Sequence, residues 1–358
     1  MEHNVLGLLL RPRARAGSRP YLWRGQTTPG SWEDLDVPPA KSGARREIVV
    51  NPGQPEGAVD ERSAQGKQAA LHRLLGSMDS ALVAFSGGAD SAFLAFMASQ
   101  ALGSKAVAVT ADSASLARSE LRDAAAFAAE FGLRHQVVAT TELQHEAYVR
   151  NNGDRCYFCK NALMHALEAI RAEAGDKAEI LVGVNTDDLG DYRPGQQAVR
   201  ERGGRWPMVE VGLSKAEIRW LSEQLGLPTW DKPAAACLSS RIVYGVPVTP
   251  AALLRIEESE TALRNLGLAG RVRVRDQGRD LARIEVDPPS FDLVMTRRSE
   301  IVAALKEAGF VFVTLDLQGY QQGSHNLVLQ RRPSRPQHDD LGPEKPAAGE
   351  LHTGHRGR

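Results

Sequence analysis

Only three cysteines occur in 358 residues, too few and odd in number for a disulfide framework. That usage fits a reducing compartment and leaves the thiols for metal or catalytic chemistry. There is no excess of charge, with 44 basic and 44 acidic side chains, which argues against a broad electrostatic footprint for nucleic acid. No apolar run reaches transmembrane length. The short run Val5–Leu10 has no basic residue before it and arginines after it, the wrong order for a secretory signal, so a cytoplasmic location and no membrane partner are expected. No internal repeat is evident. The apolar share of 42% suffices for one large or two ordinary domains.

Residues 1–62 are rich in Pro, Gly and Arg without sustained periodicity and read as a disordered extension. Residues 333–358 read as a disordered tail. Between them, β-rich runs at Ala81–Phe85, Ala106–Thr110, Gln136–Ala139 and Ile180–Val184 alternate with helical stretches such as Leu116–Phe131 and Cys156–Glu173. The expected fold is α/β over residues 63–245, a parallel sheet with helices on both faces. From 246 to 332 the order becomes helix, strand, strand, helix, strand, a smaller α+β domain. Its alternations Val272-Arg273-Val274-Arg275 and Ala282-Arg283-Ile284-Glu285-Val286 predict strands with one buried face.

The first run ends in Ser86-Gly87-Gly88-Ala89-Asp90-Ser91, which opens directly into a helical pattern. The glycines let backbone N–H groups approach an anion, Ser86 and Ser91 add hydroxyls, and the helix presents its positive end. No Gly-Lys-Ser/Thr follows, so this is not a Walker A loop and γ-phosphoryl transfer is not implied. The loop instead resembles the PP-loop of ATP pyrophosphatases, the adenine nucleotide alpha hydrolase-like fold, which bind ATP, adenylate an oxygen and release pyrophosphate. That resemblance makes Asp90 the ligand of an ATP-bound Mg²⁺. Thr110-Ala-Asp112-Ser113 and Gly183-Val-Asn185-Thr-Asp187-Asp188 lie at the ends of two other strands, where ligands gather on such sheets.

Cys156 and Cys159 form a Cys-x-x-Cys at a predicted helix start, where the dipole and Arg155 or Lys160 favour thiolates. Cys237 precedes a Ser239-Ser240-Arg241 turn suited to phosphate contacts. Three thiolates without a fourth cysteine leave one iron of a [4Fe–4S] cluster open for an extra sulfide or a substrate. Zinc completed by His165 or His145, a redox pair, and two small buried residues on a helix face are the alternatives.

Several motifs in order resemble the LarE-type ATP-dependent sulfur transferases over residues 66–330. They are Phe85–Ser91, Thr110–Ser113 with Arg118-Ser-Glu-Leu121, Asn152-Gly-Asp-Arg-Cys-Tyr-Phe-Cys-Lys160, Asn185–Gly195, Leu225–Arg241 and Ala282–Val286. The long terminal extensions depart from the family pattern. The resemblance implies that a carboxylate of a pyridinium dicarboxylate mononucleotide attacks ATP, giving an acyl-adenylate, and that sulfur then displaces AMP, in making the nickel-pincer nucleotide cofactor. Some members surrender the sulfur of one cysteine, matched here by Cys237. Others carry the extra Cys-x-x-Cys and hold a [4Fe–4S] cluster, and this chain has that second pattern.

On this resemblance Ser86, Gly87, Gly88, Asp90 and Ser91 hold pyrophosphate and Mg²⁺, and Asp112 and Ser113 lie near the ribose or adenine. Arg193, Arg241 and Arg273 contact phosphates, Cys156, Cys159 and Cys237 bind the cluster, and Cys237 with Asp90 is catalytic. Glu285 is expected to pair with Arg283 rather than bind metal. The partners implied are a small nucleotide substrate, a sulfide source and further copies of the chain. Two rivals are a tRNA-thiolating PP-loop enzyme, disfavoured by neutral charge, and a non-catalytic adenine-nucleotide module with structural zinc.

Overall fold

A computed structural model describes residues 59–173, 177–190, 194–233 and 236–321, which belong to one compact unit. Its first sheet has four parallel strands in the order β3-β2-β1-β4, with β1 Ala81–Ala84, β2 Ala106–Asp112, β3 His135–Ala139 and β4 Glu179–Val182. All four residues of β1 are buried, as expected of a central parallel strand covered on both faces.

The strand period of two sorts side chains to opposite layers. Ala81, Val83 and Phe85 join Leu71 and Leu75 of α1 (Glu61–Gly76), Phe93 of α2 (Ala89–Leu102) and Phe127 of α3 (Arg118–Glu130). Leu82 and Ala84 turn to the other layer, with Met164 and Leu167 of the long helix Arg155–Glu173. Helices therefore cover both faces, as the alternating pattern predicts.

The short α4 (Glu146–Val149) precedes that long helix, α5. Then come α6 (Pro194–Glu201), α7 (Pro207–Glu210) and α8 (Lys215–Gln224), the last opened by a Ser214/Glu217 capping box. A second sheet follows, ordered β5-β6-β7 from Val272–Asp276, Leu281–Val286 and Phe312–Leu315, with β6 antiparallel to β5 and parallel to β7. It packs with α9 (Pro250–Asn265), α10 (Phe291–Thr296) and α11 (Arg298–Glu307).

Two expectations change. The helical stretch 290–308 breaks at Arg297, whose guanidinium pairs with Glu300 and donates to the Leu266 carbonyl at 2.8 Å. More consequentially, β5 is buried at all five positions rather than on one face. Arg275 is matched by Glu285 at 2.7 Å, and Arg273 lies against Tyr320, so alternation of charge here marks an internal ionic layer.

Candidate active site

The carboxyl ends of the parallel strands carry the first half of the site. β1 leaves through Phe85, Ser86 and Gly87, and α2 begins with Gly88 as its N-cap. No side chain caps that helix, so its leading N–H groups are free for an anion. Ser91 fixes the turn by donating to the Gly88 carbonyl at 3.1 Å and accepting from the Ser86 amide at 3.2 Å, while the two hydroxyls lie 3.1 Å apart. Gly87 has φ +72°, and a Cβ there would meet Ala124 Cβ at 3.1 Å. Beneath the loop, Thr110 donates to the Phe85 carbonyl at 2.8 Å, so buried His135 is the donor to Thr110, also at 2.8 Å.

Asp90 sits in the first turn of α2 and accepts from Asn185 Nδ2 at 3.2 Å. Asn185 is 1% exposed, and its own carbonyl oxygen accepts from the Asp187 amide at 3.0 Å. Asp187 in turn accepts from the Lys215 amide at 2.6 Å, anchoring this loop to the start of α8. Burial holds the Asp90 carboxyl above the usual carboxylate range against the pull of Lys215 and Asn185, and nearby Asp188 adds to the rise. Two neighbouring carboxylates beside a phosphate cradle suit Mg²⁺, which takes one or two carboxylates and completes its shell with waters and substrate phosphates. Sequence reasoning placed Asn185 in a pocket loop but gave it no role.

At the end of β2, Asp112 pairs with Arg118 at 2.6 Å, and Arg118 also reaches the Ser113 and Leu116 carbonyls at 2.8 Å each. Ser113 is more committed than its motif suggests. Its hydroxyl donates to Glu142 and accepts from the Ser115 amide at 3.0 Å, so its proton is already committed across to the segment after β3. Glu142, 2% exposed and located just beyond β3, was missed by sequence reasoning. Its only sequence signal is its position past the carboxyl end of a parallel strand.

The cysteines arrive from two directions. Cys156 lies in the first turn of α5 and Cys159 opens the next, on neighbouring turns at the helix start as the pattern predicts, and Cys237 opens the turn Leu238–Arg241. Arg155, 4% exposed, donates to Asn151 Oδ1 at 2.5 Å and to the Ser239 carbonyl at 2.8 Å. Its positive charge interacts with both Cys237 and Cys156. Burial opposes ionisation of Cys237, but Arg155, the Ser239 hydroxyl at 3.0 Å and Arg241 outweigh it and hold the thiol below its usual range. Cys159 is pushed up to about 12 by burial and then by the neighbouring Cys237.

Among the described residues no three His, Cys, Asp or Glu side chains converge tightly enough for a single metal ion. A zinc site would draw its thiolates to about 2.3 Å from one point. His165, one of the histidines considered for it, lies 2.5 Å from Arg202. An iron–sulfur cluster instead spreads its thiolates over separate irons, a donor chemistry compatible with three cysteines that interact electrostatically with one another or with buried Arg155.

Arg241 and Arg273 both lie in the buried ionic layer. Arg241 is 4% exposed, paired with Glu260 at 3.0 Å, and donates to the Cys237 carbonyl at 2.9 Å and to that of Ala236. Arg273 donates to the Val272 carbonyl at 2.9 Å and stacks 5.5 Å from the Tyr320 ring. Burial and the like charge of Arg241 hold it below the ordinary guanidinium range. Glu285 pairs with Arg283 at 2.9 Å, as expected, and also with Arg275. Arg193 lies outside the described residues. Glu260, which joins this layer from α9, was not anticipated because an internal glutamate in a helix looks like any solvated one.

A sequence model of the NAD synthase family matches residues 73–188, the stretch that runs from α1 to the Asn185 loop. An uncharacterized protein of Synechocystis is 45% identical over 269 residues, covering 75% of this chain and 99% of its own length. The pyridinium-3,5-bisthiocarboxylic acid mononucleotide synthase of Lactiplantibacillus plantarum is 34% identical over 266 residues, covering 74% and 95%. An uncharacterized protein of Methanocaldococcus jannaschii is 30% identical over 173 residues, covering 48% and 66%. With the pyrophosphate-type loop at the end of β1 and near full-length similarity to that synthase, this chain belongs to the LarE-type PP-loop sulfur transferases and is an ATP-dependent sulfurtransferase.

Proposed function

We propose that the enzyme converts a carboxylate of pyridinium-3,5-biscarboxylic acid mononucleotide into a thiocarboxylate, a step of nickel-pincer nucleotide cofactor synthesis. The observation that carries this reading is the union of a nucleotide loop with polarised sulfur. The Leu238 amide, next to Cys237, donates to the Ser115 carbonyl at 2.8 Å, just past the end of β2.

In this reading the carboxylate oxygen attacks the α-phosphorus of ATP and the bond to the β-phosphate oxygen breaks. Ser86, Gly87, Gly88 and Ser91 hold the departing pyrophosphate through amides and hydroxyls, and Asp90 would hold a Mg²⁺ whose charge offsets that of the phosphates. Asp112 faces the ribose or adenine, with Ser113 shaping its loop. Arg241 and Arg273 supply positive potential to the phosphates from within the ionic layer rather than as free surface arms. A sulfur nucleophile then attacks the acyl carbon and AMP leaves.

Cys156, Cys159 and Cys237 would hold a [4Fe–4S] cluster, whose chemistry when bound is to supply a sulfide and so spare the cysteines. The second reading, sacrifice of the Cys237 sulfur to leave dehydroalanine, is favoured by the depressed thiol of Cys237. Anaerobic purification with iron, zinc and sulfide analysis of wild type and Cys237→Ala tests the first. About four irons per chain, lost in the variant, is the expected result. Iron-free protein whose intact mass drops by one hydrogen sulfide after incubation with ATP and substrate would instead establish the second.

A further inference from the structure

We propose that Tyr148 and Ser239 are positioning residues that tie the Cys237 sulfur to the nucleotide loop, so that nucleotide binding and sulfur placement are coupled. This rests on reading Cys237 as the sulfur-handling residue and the loop after β2 as nucleotide-facing.

Tyr148 is fully buried, at 0% exposure, among Leu238, Ile242 and Val248 of the second core. An apolar ring needs no hydroxyl there, so the polar atom requires partners. Its hydroxyl lies 2.5 Å from Ser115 Oγ, with the Ser239 side chain beside it. Ser239, 1% exposed, lies 3.0 Å from Cys237 Sγ. Ser115, 2% exposed, is held through its amide by Ser113, whose hydroxyl is bound to Glu142.

The result is a polar row, Ser113, Ser115, Tyr148, Ser239 and Cys237, from the end of β2 to the sulfur. Each hydroxyl of the row carries one proton, so Ser239 spends its own when it donates to Cys237. With Arg155 beside the sulfur, the sense in which Ser239 donates to Cys237 is the one that complements the local charge. The frame around the row is stiff. Arg155 clamps the Ser239 carbonyl at 2.8 Å, and Asn151, which orients Arg155, donates to the carbonyls of Val243 and Val246 at 2.9 Å each. A displacement of Ser115 therefore has few outlets other than the tyrosine hydroxyl or the Leu238 amide.

The test uses the full-length chain purified in air and kept reduced, with a non-hydrolysable ATP analogue and Mg²⁺ as probe. Alkylation of Cys237 by iodoacetamide is followed by peptide mass spectrometry. In wild type the analogue should change the Cys237 rate by at least about fivefold, the lower end of ordinary coupling between sites. Tyr148→Phe keeps the ring, and Ser239→Ala serves if that variant fails to fold. Either should reduce the effect to below twofold while analogue affinity, measured by calorimetry, and Tm stay near wild type. Retention of the full effect in the variants, or its absence in wild type, overturns the proposal. Failure of the functional reading is distinguishable, because it would appear as sulfur transfer surviving Cys237→Ala while the coupling persists.

Discussion

Arg155 Nη1 donates to the Ser239 carbonyl at 2.8 Å, joining the start of the Cys-x-x-Cys helix to the turn that carries the third cysteine, 84 residues away. Among the described residues no carboxylate forms an ion pair with this buried guanidinium, so the thiols are its principal counter-charges. An internal cation without such compensation is costly.

Arg155→Met should therefore raise the Cys237 pKa, because the largest influence lowering it is removed. Thiolate then forms only at higher pH, and alkylation of Cys237 at pH 7.5 should slow about tenfold for each unit of upward shift. The rate profile from pH 6 to 10 checks this. An unchanged profile would remove Arg155 from the account of the thiol.

Asn185→Ala should leave the fold intact and disturb Asp90, whose carboxylate loses its 3.2 Å donor. We expect pyrophosphate release with kcat/KM down about tenfold, the scale of a lost hydrogen bond to a charged group. The concentration of Mg²⁺ giving half-maximal rate should rise. A fall in rate without any change in metal dependence would place Asn185 elsewhere in the reaction.

Gly183→Ala tests how closely β4 approaches the phosphate cradle. A Cβ at Gly183 would stand 3.0 Å from both the Cα and the backbone nitrogen of Ser91, so the first turn of α2 must shift. Overpacking of this kind costs about 1 to 3 kcal/mol. Urea unfolding should show that loss, and the KM for ATP should rise. An unaltered KM would show that the helix start tolerates displacement.

Glu260→Gln breaks the buried pair with Arg241, and chemical denaturation should register a loss of about 3 to 5 kcal/mol. Burial opposes ionisation of Glu260, but Arg241 prevails and holds the carboxyl below its usual range. The stability it contributes is thus present above pH 4.5 and fades as pH falls through its folded value. The variant should lack that share of the acid dependence.

Local chemistry made the nucleotide loop readable. Two glycines and two serines between an apolar run and a helical pattern specify the turn from Ser86 to Ser91 with no distant contribution, and the same holds for Cys156 and Cys159 at a helix start. Distant partners were invisible by the same logic. Glu142 lies 29 residues from Ser113, and Glu260 lies 19 from Arg241, with no periodicity linking them.

The sequence by itself determined the parallel sheet, the phosphate cradle and the supply of three thiols, because period-two burial, glycine conformational freedom and helix-end polarity act over a few residues. Tertiary structure alone decided which charges lie inside. It turned Arg273 and Arg275 from apparent surface residues into an ionic layer, and set Arg155 and Tyr148 around Cys237. Burying a charge or a hydroxyl is tolerable only when partners converge from separate elements, and that convergence exists only in the folded chain.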